Sequence, residues 1–200
     1  MNDTTLPREL HLCDFDGTLT RGDTLLQFLL FAVPAPSLVL GGFILVFRFL
    51  VLIFSGSWSN AAGKAAVLAA YFKGESIESL FALGQEFNRQ KLPGLIRLDL
   101  LQKLRDHHQA GHEVVIVSAS LNIWLGPFCT TENFGLLCTE LAFDSGKFKG
   151  KFATPNCNGA EKARRIQEAY ALEHYDRIFA YGNSSGDAAM FQLADEVIRF

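Results

Sequence analysis

The sequence predicts an α/β protein, a doubly wound parallel sheet carrying an inserted all-helical cap. Three observations lead there. Short apolar or β-branched runs at Glu9 to Cys13, Glu113 to Val117 and Arg177 to Tyr181 each end on a polar or glycine-containing turn, as buried parallel strands do. Helical patterns separate these runs, and strands alternating with helices build parallel sheets. Residues 24 to about 92, directly after the first strand, read as helical throughout, too long a stretch for a simple crossover. The expected division is 1–22 and 94–200 for the α/β core and 23–93 for the cap, which sits over the strand ends where water is excluded and substrates are chosen.

In chain order, Gly17 and Thr18 break the first strand and mark a turn. Asp23 is placed to cap a helix over Leu25 to Val33. A second apolar helix is expected from Ser37 to Phe54, then helices from Asn60 to Phe72 and from Ser76 to Gln90, the last with Ile77, Leu80, Phe81 and Leu83 on one face. Pro93-Gly94 closes the block. Leu95 to His108 is amphipathic, and Gly111 ends it. After the strand at 113–117, Ser118-Ala119-Ser120 reads as the turn into a helix over Leu121 to Phe128. Leu136 to Phe143 reads as a strand, and Asp144-Ser145-Gly146-Lys147 as a hairpin turn into Phe148 to Phe152. Asn158 is expected to cap a helix from Gly159 to Leu172. Gly182 to Asp187 is a loop, followed by a helix over Ala188 to Ala194 and a last strand over Val197 to Phe200.

Composition bounds the function. Of 200 residues, 49% are hydrophobic and 18 are Phe, enough for a sizeable core. A net charge of −3 gives no nucleic-acid footprint. The four cysteines, Cys13, Cys129, Cys138 and Cys157, have no metal-ligand spacing and read as reduced thiols. Met1 to Arg8 is polar with no apolar signal core, so a cytoplasmic location is expected. Thr24 to Phe47 carries no charge, yet Pro34, Pro36, Gly41-Gly42 and Arg48 interrupt it before it reaches the length of a spanning helix. The expectation is two helices buried in the cap, with peripheral membrane contact or a homodimer through the apolar cap as the alternatives.

The chemistry lies at the strand ends, where open α/β sheets bind ligands. Asp14 and Asp16, one residue apart, repel each other. The pair makes sense if a divalent cation sits between them, or if one attacks while the other shuttles protons. Ser118 offers a hydroxyl to a phosphate oxygen. Lys162, a cation in a helix's first turn where the dipole disfavours it, points to an anion nearby. Asn183 and Asp187 supply oxygen ligands of the kind Mg²⁺ accepts.

Asp14-Phe-Asp-Gly-Thr-Leu, Ser118, Lys162 and Gly182 to Asp187, in that order, resemble the four motifs of the haloacid dehalogenase superfamily of phosphohydrolases. The helical insert resembles the C1-type cap of the subfamily that includes phosphoserine phosphatases. The resemblance implies a phosphomonoester hydrolase in which Asp14 is the nucleophile, Asp16 the acid–base and Ser118 and Lys162 hold the phosphoryl charge. One Mg²⁺ would be held by Asp14, Asp16, Asn183 and Asp187. Gly17, Thr18, Asp23 and Ala119 are the candidate substrate contacts, Thr18 as a positioner of Asp16 and Asp23 at the place where phosphoserine phosphatases carry a Glu that reads the substrate's amine. Family members usually carry Asp where this chain has Asn183, one negative charge fewer for the metal. The expected substrate is a small or amphiphilic phosphomonoester, with phosphoserine as the alternative. A non-catalytic binding module is the alternative outside the enzymes.

Overall fold

The computed structural model describes residues 7–38 and 60–200. Strand β1 (Glu9–Cys13) opens the chain and a tight turn, Phe15–Leu19, leaves it. Helix α1 (Thr24–Ala32) starts where Asp23 accepts a hydrogen bond from Leu26 N at 3.0 Å, the expected cap. Helix α2 is Asn60–Phe72 and α3 is Ile77–Gln90; Ser76 caps α3 by accepting from Ser79 N. Leu80, Gly84 and Phe87 form the buried stripe of α3 at helical spacing. A short turn, Leu92–Gly94, leads to α4 (Leu98–Gln109), so this helix begins three residues later than its apolar pattern suggests. Gly111, at φ +89°, ends it by donating its N–H to His108 O.

Strand β2 runs over Glu113–Leu121, through the Ser-Ala-Ser stretch expected to be a turn. Its pairing slips between Ser118 and Leu121, and this irregularity, not a chain reversal, is what the polar triplet marks. Helix α5 is Asn122–Glu132. The single strand expected over 136–143 is two, β3 (Gly135–Thr139) and β4 (Leu141–Asp144), because the chain leaves the main sheet at Glu140 and pairs with β5 (Lys147–Phe152) in a separate hairpin. Ser145 and Gly146 both have positive φ at its tip, the dihedrals of a type I′ turn. Helix α6 (Ala160–Ala169) is capped by Gly159 rather than Asn158, whose amide oxygen lies over Gly186 instead. Strand β6 (Arg177–Gly182), a short turn Ser185–Asp187, helix α7 (Ala188–Phe191) and strand β7 (Glu196–Arg199) complete the described chain.

The main sheet has the order β3-β2-β1-β6-β7, with every neighbouring pair parallel. Alternate β1 side chains feed two cores. Leu10 and Leu12 join Val115, Val117, Ile178, Ala180, Ile166 and Met190 on one face. Cys13 lies on the other with Ile116 and Tyr181, continuous with residues of the helical insert. There Phe28 of α1 meets Phe87 edge-on at 5.5 Å and Trp124 of α5 at 4.8 Å, so insert and sheet share one apolar seam. At Gly84 the helices touch: a Cβ there would lie 2.2 Å from the carbonyl oxygen of Ile123. All four cysteines are buried and free.

Among the described residues no helix is long and apolar enough to cross a membrane. Of the helix expected over 37–54, only 37 and 38 are described, and they are helical; the rest lies outside the described residues, as does most of the polar N-terminus.

Candidate active site

β1 is the strand from which the sheet order runs both ways, with β2 on one side and β6 on the other. A crevice forms at such a point, past the strands' carboxyl ends. Asp14, the first residue beyond β1, is fixed by its N–H to Tyr181 O at 2.9 Å. The turn that follows needs Gly17 twice over. Its φ is +78°, and a Cβ would lie 2.1 Å from the Asn183 amide nitrogen.

Three elements then deliver charge to one spot. Lys162 Nζ, from the first turn of α6, donates to Asp14 Oδ1 and to Asp187 Oδ1, both at 2.6 Å, and its side chain is almost wholly buried. Thr18 Oγ1 donates to the other Asp14 oxygen at 2.9 Å. Asp187 Oδ2 accepts from Ser184 N, Ser184 Oγ and Asn183 N at 3.0, 2.9 and 3.2 Å. The anion near the first turn of α6 is therefore a pair of carboxylates.

Asp16 is held separately. Its Oδ1 accepts from Thr24 N at 2.9 Å and Thr24 Oγ1 at 2.7 Å, and its Oδ2 from Ser120 Oγ at 2.5 Å. The Thr24 N–H belongs to the first turn of α1, so the helix dipole also favours charge there. Ser118 is buried, and its Oγ accepts from Ser120 N at 3.0 Å; among the described residues no hydrogen bond joins it to either aspartate.

Burial raises the Asp14 carboxyl above its ordinary range, against the opposing pull of Lys162. Burial likewise raises Asp16, more than the Ser120 and Thr24 hydrogen bonds lower it. For Asp187 burial also pushes upward, but Lys162 and the Ser184 donors outweigh it and hold the carboxyl low. Burial alone would lower Lys162, yet Asp14 and Asp187 more than offset it and keep the ammonium charged. Two acids one residue apart in sequence thus have a proton-retaining tendency, while the third is a fixed charge.

The residues fit a hard divalent cation. Asp14, Asp187, the Asn183 amide and the Asp16 main-chain carbonyl offer only oxygen. Asp14 and Asp187 share one buried ammonium, and Asp16, held apart from it, has no ion-pair partner among the described residues, an excess of negative charge that burial makes costly without a cation.

The structure brings Asp14, Thr18, Lys162 and Asp187 into one hydrogen-bonded unit, with Asn183 exposed at its edge against Gly17. Thr18 binds Asp14, not Asp16 as the sequence suggested; it sits four residues on, across the turn, where only Asp14 is in reach. Asp23 is the helix cap expected of its position. It also lines a cleft of about 400 Å³ with Leu25, Gly63, Lys64, Ala119, Asn156 and Asn158. Sequence reasoning missed Thr24 and Ser120, which hold Asp16, and Ser184, which holds Asp187. Lys64, which reaches across from α2 to Ala119 O at 3.3 Å, was also missed. Thr24 follows the Asp23 cap and Ser120 sits two residues past Ser118, but neither position signals its partner.

A family profile described as haloacid dehalogenase-like hydrolase matches residues 12–192. Protein CicA of Caulobacter vibrioides (strain NA1000 / CB15N) is 30% identical over 185 residues, which cover 92% of this chain and 82% of that one. A solved protein of unknown function from Bordetella pertussis Tohama I superposes with a TM-score of 0.77 at 20% identity, covering 97% of this chain and 90% of its own. A substrate-bound phosphoserine phosphatase complex gives 0.65 at 15% identity, covering 98% and 87%. At those identities the two structures speak for the fold, a parallel α/β sheet with a helical insert. The profile match, spanning nearly all of the sheet and the insert, places this chain in the haloacid dehalogenase-like hydrolase family.

Proposed function

We propose that the protein is a Mg²⁺-dependent phosphomonoester hydrolase working through an aspartyl-phosphate. The observation that carries this reading is the buried Asp14–Lys162–Asp187 unit with a second, independently held acid at Asp16. An Asp14 oxygen bonds to phosphorus as the ester P–O bond breaks, and the leaving alkoxide takes the Asp16 proton. Water then attacks phosphorus, gives its proton to Asp16 and releases Asp14. The upward shift of Asp16 suits a residue that must begin as an acid. Lys162 neutralises the reacting group and holds Asp187 in place, Thr18 orients Asp14, and Ser118 is the hydroxyl for a phosphoryl oxygen. Bound Mg²⁺, with Asp14, the Asp16 carbonyl, Asn183 and Asp187 as its protein ligands, supplies the remaining charge stabilisation.

The substrate is a small or amphiphilic phosphomonoester. The uncharged run through residue 47 supports an apolar chain, although 39–59 lie outside the described residues. Phosphoserine is a second reading with its own observation: Asp23 and Lys64, one anion and one cation, line the same cleft, as an ester bearing both an amine and a carboxylate would use. The test is phosphate release with Mg²⁺ or EDTA over phosphoserine, sugar phosphates, nucleotides and detergent-dispersed lipid phosphates. Metal-dependent release is expected, lost in Asp14→Asn, and the preferred ester decides between the two substrate readings. Folded protein that turns over none of them would favour the binding module.

A further inference from the structure

At the other end of β1, away from Asp14, lies a cluster that the hydrolase chemistry does not use. Glu9 opens the strand and His11 sits in its middle, fully buried. His107 comes from the last turn of α4, and His112 from the connection into β2. Their nitrogens converge on a single oxygen, Glu9 Oε2: His11 Nε2 at 3.1 Å, His112 Nε2 at 3.6 Å and His107 Nδ1 at 3.8 Å. A carboxylate oxygen has two lone pairs, so three imidazole N–H groups cannot all be satisfied there. Only His11 is within hydrogen-bond reach. The convergence has another use.

We propose that Glu9, His11 and His107, with His112 at the rim, form a zinc-class transition-metal site, separate from the hydrolase centre. Two imidazoles and one carboxylate are a donor set that zinc takes and magnesium does not, with the fourth position left to water. With metal–ligand bonds near 2.0–2.2 Å, neighbouring ligand atoms around a tetrahedral ion stand about 3.3 Å apart. The three separations from Glu9 Oε2 bracket that value, and the ligand atoms of Glu9, His11 and His107 all lie within 4.8 Å of one another. His11 has the outer support such ligands need: its Nδ1 is bonded to Tyr181 OH at 3.1 Å, which turns Nε2 toward Glu9. The ring is also stacked between His107 at 3.8 Å and Phe179 at 4.7 Å, and His107 swings out of that stack to bring its Nδ1 onto the ion.

Burial, with His107, His112 and Lys103 nearby, pushes His11 down to about 3, and burial also lowers His107, with Glu9 and Asp106 opposing and Lys103 and His112 assisting. Both rings are therefore neutral at neutral pH, the form that ligates. The opposing feature is the Lys103 ammonium, set over the Tyr181 ring at 5.5 Å, which the Glu9 charge offsets. Bound metal would tie β1 to the end of α4.

The experiment is equilibrium dialysis of the chelator-stripped full chain against zinc, followed by metal analysis, with cobalt(II) as a visible probe of coordination. The expected result is one zinc per chain at this site, undisturbed by millimolar Mg²⁺, and the visible absorption of tetrahedral cobalt. His107→Ala and Glu9→Gln should each weaken binding by about 100-fold or more, since losing a ligand costs at least as much as losing an outer partner, and His112→Ala should weaken it less. These three leave buried His11 in place, and circular dichroism checks their folding. Asp187→Asn, which alters the hydrolase centre, should bind zinc at this site as the wild type does. Failure of the wild type to retain zinc, or retention untouched by the three variants, would overturn the proposal. Neither outcome bears on phosphatase activity.

Discussion

Replacing Lys162 by Met keeps the aliphatic stem and removes the cation that bridges Asp14 and Asp187. Each carboxylate loses a 2.6 Å partner, and the two Oδ1 atoms stand no more than twice that distance apart. Two unit charges about 5 Å apart at an effective dielectric of 20 repel by about 3 kcal/mol. Breaking a buried pair costs about 3–5 kcal/mol in general, so both routes give the same scale. At about 2–4 °C per kcal/mol for a chain of this size, the melting temperature should fall by about 6–20 °C. Asp14, already raised by burial, relieves the repulsion by taking a proton, so the deficit should shrink on acidification. Urea unfolding in EDTA at pH 7 and pH 5 measures both effects. A loss below about 1 kcal/mol at pH 7, or one independent of pH, would refute the claim that Lys162 is the electrostatic centre of the site.

Other outcomes follow from the same geometry. Asp16→Asn should abolish most turnover yet stabilise the metal-free protein at neutral pH. Because the folded carboxyl titrates above its unfolded value, the folded state binds more protons in that window and wild-type stability falls as pH rises through it. Thermal melts from pH 4 to 8 should show the variant's advantage growing with pH. Gly84→Ala should cost about 1–3 kcal/mol, since its Cβ meets the Ile123 carbonyl and α3 must move off α5; an unchanged urea midpoint would contradict that contact. Asn183→Asp should lower the Mg²⁺ concentration for half-maximal activity, by roughly fivefold for an added charge worth about 1 kcal/mol. A metal titration of phosphate release reads it directly.

What could be read from the chain was local. The β1 run, the Asp23 cap and the Ser145-Gly146 turn are set by residues within a few positions, and each stands where its chemistry put it. The turn assigned to Ser118–Ser120 failed because side-chain polarity hides an extended backbone: Ser118 still pairs with Cys138 in the sheet. The split at Glu140 was invisible for the opposite reason. The apolar pattern runs on unbroken, and only the partner strand changes. In the site, Asp14, Asp16 and Lys162 stood out by type and position. Ser120, 104 residues from Asp16, becomes its partner only through the fold. The histidines around Glu9 come from three separate elements and share no spacing that would single them out.

Attack of Asp14 on phosphorus leaves a covalent product that can be trapped. Mixing the enzyme with its preferred ester and Mg²⁺, quenching in acid and reducing with borohydride converts an aspartyl-phosphate into homoserine, which peptide mass spectrometry locates. Homoserine is expected at position 14, appearing only with substrate, and in Asp16→Asn it should accumulate with an aryl ester whose leaving group needs no proton, because only the second step then stalls. Steady phosphate release with no modification at Asp14, or with the mark on another residue, would contradict attack by Asp14.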